Sequence, residues 1–252
     1  IGLSMSATFD SWLSYRIFAD EVRSKTRYIY NQPTRSFLEA IVAASKSRST
    51  QIKQGSRLWR AQLGSSVANV HSDEYTEDVP FESERMKPTA EFSQEGRANP
   101  RGIPYLYMAT TMETALAEQR PWLGAKISVA VFKTTKDVVL VNCVDKNRGD
   151  WYYEEEPPPK ERESSVWRDL SRAFSTPVAP NDPLLDYAPT QVVAEVFRYH
   201  GYDGILYKSL LGHALNVVLF DVTSASIEFM CLQKTTSVEF KFDELFPIFR
   251  IK

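Results

Sequence analysis

Between Gly96 and Trp122 the chain reads GRANPRGIPYLYMATTMETALAEQRPW, gathering Arg97, Asn99, Arg101, Tyr105 and Tyr107, with Glu118 one short helix later. Upstream, Arg60 sits inside the apolar and aromatic stretch RLWRAQL; downstream, Ser209 closes DGILYKS. These residue types suit a particular chemistry. A guanidinium is a planar fork of donors that grips phosphate or carboxylate oxygens in pairs, an aromatic ring is a stacking platform, and a fixed carboxylate offsets positive charge developing in a transition state.

Other chemistries lack their signatures. GxGxxG for a dinucleotide-binding turn and GxxxxGK[ST] for a phosphate-binding loop are both missing. So is a GxSxG nucleophile elbow. His71, His200 and His213 form no HExxH or comparable grouping, and Cys143 and Cys231 stand far apart with no CxxC spacing, so neither a metal site nor a disulfide framework is expected. An enzyme built on this chain works with arginines, tyrosines, carboxylates and hydroxyls.

The elements that must position these groups follow from periodicity. Thr8 to Ser45 repeats its apolar residues at helical spacing (Trp12, Ile17, Phe18, Val22, then Phe37, Leu38, Ile41, Val42), and Pro33 divides it into two helices. Ser45 to Ser56 is polar and reads as a linker, placing the start of the main domain near Gly55: residues 1–54 form a helical extension and 55–252 the main domain. Arg57 to Leu63 reads as a strand, and Gly64 to Ile103 as mostly loop. Gly102 to Ala109 alternates as a strand with Leu106 and Met108 on one face and Tyr105 and Tyr107 on the other.

Thr110 and Glu113 have the capping-box spacing, so a short helix follows that Pro121 stops, with Glu118 in its last turn. The box accounts for Glu113. Glu118 has no such explanation: a solvated helix face is the usual fate of a glutamate, yet in a last turn a carboxylate meets the unfavourable end of the helix dipole. Lys126 to Lys133 and Asp137 to Cys143 read as strands joined by a short polar turn, the spacing of a hairpin. Arg148 to Ser165, with Glu154 to Glu156 and Pro157 to Pro159, reads as an extended, solvated insertion. Helices then carry Val166, Trp167, Leu170 and Phe174, and, from Pro189 to a stop at Gly201, Val192, Val193, Val196 and Phe197. Asp203 to Ser209, Asn216 to Asp221 and Ile227 to Leu232 read as strands, and His213 as structural. Strands mixed irregularly with helices predict an α+β fold rather than a doubly wound sheet.

Composition sets the outer bounds. The 252 residues, 43% hydrophobic and 25% charged, suffice for one sizeable core. A net charge of -2 gives no global positive field to attract nucleic acid or an anionic membrane. No run approaches the roughly 20 apolar residues of a membrane helix, and with Asp10, Asp20 and Glu21 the N-terminal stretch does not have the form of a secretory signal. A cytoplasmic protein is expected.

Taken in order, RLWRAQ with Arg60, ERMKP, GRANPRG with Arg97, LYMAT with Tyr107, ALAEQRP with Glu118, YDGILYKS with Ser209 and NVVLFD resemble the RES-domain family, named for its Arg, Glu and Ser. The ordered set spans Gly55 to Val222 and leaves the N-terminal helices and the tail outside. The resemblance implies an α+β fold related to ADP-ribosyltransferases, with mixed or antiparallel sheets and flanking helices. It also implies degradation of NAD+ by hydrolysis or phosphorolysis, and service as the toxin of a bacterial toxin–antitoxin pair whose DNA-binding antitoxin blocks the cleft. NAD+ is then a substrate, inorganic phosphate a candidate co-substrate, and no separate cofactor or metal is called for.

Arg60, Glu118 and Ser209 carry over as the core positions. On that resemblance Glu118 orients the ribose hydroxyls and offsets the charge of an oxocarbenium-like transition state, while Arg60 and Arg97 hold the pyrophosphate, with Arg101 as a substitute for Arg97. Tyr107, beside Tyr105, stacks on the nicotinamide, Asn99 joins the substrate-binding set, and Ser209 contacts ribose or carboxamide or places the acceptor. Two other readings stay open: a protein mono-ADP-ribosyltransferase, and a non-catalytic module that binds a nucleotide or peptide. The N-terminal helices either mediate self-association into a homo-oligomer or complete the core.

Overall fold

The computed structural model describes residues 8–70, 75–145, 152–176 and 184–243. In chain order the elements are α1 (Ser14–Ser24), α2 (Gln32–Ser45), β1 (Ser49–Ile52), β2 (Arg57–Leu63), β3 (Ser66–Val70), β4 (Tyr75–Val79) and α3 (Ser83–Met86). There follow β5 (Leu106–Ala109), α4 (Met112–Glu118), β6 (Lys126–Thr134), β7 (Val138–Asn142), α5 (Pro159–Ser175), α6 (Ala188–Tyr199), β8 (Gly204–Lys208), β9 (Leu215–Leu219) and β10 (Ala225–Lys234). One large sheet has the order β1-β7-β8-β9-β5-β2-β6-β10, antiparallel except for the parallel β7–β8 pair, and β3 with β4 forms a small second sheet. The fold is α+β, a mostly antiparallel sheet flanked by helices.

Alternation along the strands divides the interior between the two faces of the sheet. Val141, Ile205, Tyr207 and Val218 join the helices in one core, where Val166, Trp167, Leu170 and Phe174 of α5 meet Val193 and Phe197 of α6, Phe18 and Val22 of α1, and Phe37 and Ile41 of α2. Their neighbours Leu140, Leu206, Val217 and Leu219 enter a second core with Leu58, Phe132, Phe81 and Met86. Leu106 and Met108 belong to the second core and Tyr105 and Tyr107 to the first, the facing read from their alternation.

Four sequence expectations change. Ser45 to Ser56 is not a linker: it carries a short 3-10 turn and β1, which pairs with β7 at the sheet edge, and the helices before it complete the core. The long loop after Gly64 holds β3, β4 and α3. β6 and β7 form no hairpin, because the chain at 53–56 occupies the corner between them: Thr134 O accepts from Gly55 N (2.9 Å) and Asp137 Oδ1 from Gln54 N (2.8 Å). The strands splay apart, and the continuously buried run of β6, Ile127 to Phe132, lies between β2 and the edge strand β10.

The insertion read as extended is already helical from Pro159, which occupies a first turn where its missing N–H costs nothing. Glu154, Glu155 and Glu156 are exposed as expected, and Glu156 in addition accepts from Ser11 Oγ (2.8 Å) and Trp12 N (2.9 Å) and so holds the start of α1. Its residues 148–151 lie outside the described residues.

Gly204 lies where two strands come closest. A β-carbon there would stand 2.0 Å from the carbonyl oxygen of Val218 and 3.0 Å from Leu140 Cδ2. The obstacle is backbone in the β8–β9 ladder, which cannot yield without losing register. Gly204→Ala is expected to destabilise the fold by about 2–3 kcal/mol, read as a lowered urea midpoint; a change under about 0.5 kcal/mol would show that the ladder has slack.

Candidate active site

The large sheet is weakest between β2 and β5. β2 pairs with β6 along its whole length but with β5 at the single register position Trp59↔Ala109, so the two strands diverge on either side of it. α4 packs beside the opening, and a cavity of about 740 Å³ lies there. Its lining runs from Trp59 to Gln62 on β2 and Tyr107 to Ala109 on β5, then Ala115, Glu118, Gln119 and Arg120 at α4, with Glu95, Arg97, Tyr187, Tyr207 and Asn216. The volume falls within the ~300–1,000 Å³ of small-molecule sites.

Glu118 is half-buried in the last turn of α4. Its Oε1 accepts two short hydrogen bonds, from Ser209 Oγ (2.7 Å) and Asn216 Nδ2 (2.7 Å). Among the described residues Oε2 accepts none. These donors compensate a carboxylate held at the negative end of a helix. The helix is capped by Thr111, which accepts from Thr114 N (3.3 Å), and not by the expected Thr110–Glu113 box. Thr110 is instead drawn into pairing with Leu215 of β9, and Glu113 is exposed.

Arg60 reaches across the gap between the diverging strands, donating from Nη1 to the carbonyl of Tyr107 (3.0 Å). Its Nε is buried with no hydrogen-bond partner among the described residues, and burial pushes the guanidinium down to about 10. It stays protonated at neutral pH, a partly desolvated cation on the wall of a cavity. Such a group is a strong anion ligand, because a buried donor left unmade is costly and a ligand oxygen would satisfy it. Arg97 lines the same cavity and is steadied by donating from Nη1 to the carbonyl of Phe174 (2.9 Å), in the last turn of α5.

The other expected site residues divide. Tyr107 lines the cavity, but its hydroxyl is committed: it donates to Asn99 Oδ1 (2.7 Å) and accepts from Ala98 N (2.9 Å), and burial pushes its ionisation far above the ordinary range. Asn99 is buried beneath the wall, its amide donating to the carbonyls of Gln94, Pro100 and Ile103 and so shaping the loop that carries Arg97. Tyr105 does not line the cavity: its ring lies in the core against Phe220, with the Arg198 guanidinium on its face. Arg101 is exposed and also outside the lining. Ser209 is buried behind Glu118 rather than on the wall.

Several lining residues escaped the sequence reading, chiefly Asn216, Tyr207 and Trp59. Asn216 is the polar residue opening the apolar run NVVLF, and Tyr207 stands two before Ser209 on the same strand, so each carried a faint signal. Tyr207 is buried, which pushes its hydroxyl up to about 12; the neighbouring Arg97 pulls against that rise and the charge of Glu118 adds to it.

The chain therefore places two arginines and a braced carboxylate around one cavity. A crystal structure of the M. tuberculosis MbcT–MbcA toxin–antitoxin complex is similar over 78% of this chain and 92% of that chain, at 13% identity and a TM-score of 0.37. No curated protein gave a significant sequence match. The sequence pattern of the RES domain matches residues 57–243, a stretch that contains all the described residues lining the cavity, and the chain belongs to the RES-domain family.

Proposed function

We propose that the chain cleaves the nicotinamide glycosidic bond of NAD+ and acts as the toxin of a toxin–antitoxin pair by depleting cellular NAD+. The observation that carries this reading is Glu118: one oxygen is locked by two donors, the other has no hydrogen-bond partner among the described residues, and the carboxylate shares its cavity with Arg60 and Arg97. Nicotinamide departs as a neutral base with the electrons of its C–N bond, so the ribose gains positive charge in the transition state. A carboxylate fixed beforehand stabilises that charge without reorganising. Arg60 and Arg97 grip the pyrophosphate and hold the ribose against Glu118, and Trp59 and the Tyr107 ring supply flat apolar wall for the bases.

An acceptor then bonds to the anomeric carbon. Water gives ADP-ribose and a proton; inorganic phosphate gives ADP-ribose 1″-phosphate. The partner in this reading is a DNA-binding antitoxin that covers the cleft, and the setting is the cytoplasm, where the NAD+ pool is. Among the described residues no helix is long and apolar enough to cross a membrane.

Phosphorus NMR of NAD+ incubated with the purified protein, with and without inorganic phosphate, tests the reaction and its acceptor together. A new phosphomonoester resonance that requires phosphate marks phosphorolysis, and ADP-ribose in both samples marks hydrolysis. Intact NAD+ in both, or ADP-ribose attached to protein, would overturn the proposal.

A further inference from the structure

Resting on the NAD+ reading of this cavity, we propose that Ser209 and Asn216 are positioning residues that pin Oε1 of Glu118 and leave Oε2 as the oxygen that meets the ribose. The bonding of Ser209 leaves it no capacity for a substrate. A serine hydroxyl has one proton to give and two lone pairs to receive. Ser209 gives its proton to Glu118 (2.7 Å) and receives from Leu211 N (3.2 Å) and Gly212 N (2.8 Å). It is 1% exposed, so it can neither place an acceptor nor touch a ribose.

The turn that carries Ser209 is itself fastened to α4. Ala214 N donates to Thr114 Oγ1 (3.2 Å), and Gly212 lies so close to Thr114 that a β-carbon on it would stand 2.6 Å from the same oxygen. Thr114 and Glu118 are four residues apart, on one face of the helix, so α4 grips the turn at two points. Asn216 approaches from a third direction, from β9 between Tyr207 of β8 and Ala109 of β5. A carboxylate held through one oxygen by donors from two elements cannot turn about its terminal bond, and Oε2 keeps one direction.

The test is the steady-state kinetics of nicotinamide release. Ser209→Ala and Asn216→Ala are expected to lower kcat by about 10- to 100-fold while KM for NAD+ stays within about 3-fold, the pattern of a loosened catalytic group rather than a lost substrate contact. Ser209→Thr keeps the hydroxyl and is expected to recover most of kcat. A raised KM with unchanged kcat would overturn the proposal and make Ser209 a substrate ligand.

A double-mutant cycle on unfolding free energy, Ser209→Ala with Glu118→Ala, probes the clamp without reference to NAD+. Non-additivity is expected, and additive effects would overturn the clamp. Non-additivity together with a wild type that releases no nicotinamide would sink the NAD+ reading, and the assignment of Oε2 to the ribose with it, while leaving the clamp in place.

Discussion

Glu118→Gln is expected to keep the fold and to lose at least about 10²- to 10³-fold in kcat for nicotinamide release, with KM for NAD+ changed little. The amide fills the same space, and its oxygen can still accept from Ser209 and Asn216. What disappears is the negative charge that, in the proposed reaction, faces the ribose and matters most when the glycosidic bond is breaking. Stability is expected to change by less than about 1 kcal/mol. Removing a charge from the last turn of α4 relieves its conflict with the helix dipole, while two charge-assisted hydrogen bonds become weaker neutral ones. Retention of full turnover would remove Glu118 from the mechanism; loss of turnover through unfolding would show that its role is structural.

Arg60→Met is expected to move stability and binding in opposite directions. The side chain it replaces is a half-buried cation whose buried Nε has no partner among the described residues and whose Nη1 donates to the Tyr107 carbonyl. A methionine of similar length removes the desolvation cost, so the unfolding free energy should rise by about 1 kcal/mol even though that carbonyl loses a donor. Affinity for NAD+ should fall by about 100-fold, the scale of a charge-assisted bidentate contact to phosphate. Denaturation and calorimetry measure the two separately.

The wild type adds a pH signature. With the Arg60 guanidinium pushed down to about 10, the cation proposed to grip the pyrophosphate is fully present at neutral pH and is lost as pH rises through about 10, so KM should climb there. The same depression makes burial of the charged form a cost to the fold at neutral pH, relieved as pH rises past that value. A variant that is destabilised yet binds NAD+ normally would assign Arg60 to the fold alone.

Much of this arrangement is visible in the sequence where burial imposes a period. β2, β5 and the faces of Tyr105, Tyr107, Leu106 and Met108 follow from alternation, and α5 and α6 from stripes such as Val166, Trp167, Leu170 and Phe174. The final turn of α4, and hence the setting of Glu118, follows from the stop at Pro121, while its start is capped by Thr111 rather than by the Thr110–Glu113 box. What stayed hidden depends on contacts between distant segments. β1 is four polar-leaning residues at a sheet edge, where one side is solvated and no apolar period is required. The failed hairpin turns on chain 53–56 entering a corner about 80 residues further along the sequence, a contact no local pattern records.

The candidate site divides the same way. Arg60, Arg97, Tyr107 and Glu118 line the cavity, while Ser209 stands behind Glu118, Asn99 beneath the loop, and Tyr105 and Arg101 elsewhere. Residue type tells which groups are able to meet a ligand; only the meeting of α4, the turn after β8 and β9 tells which of them hold the others in place.

Cleavage of the nicotinamide glycosidic bond is tested by the stoichiometry of products from purified protein and NAD+, followed by separation and mass measurement of free nicotinamide and the remaining dinucleotide fragment. One nicotinamide is expected for each NAD+ lost, with the rest recovered as ADP-ribose or its 1″-phosphate, and both products suppressed by Glu118→Gln. NAD+ recovered intact, or cleaved at the pyrophosphate to leave nicotinamide mononucleotide, would contradict it.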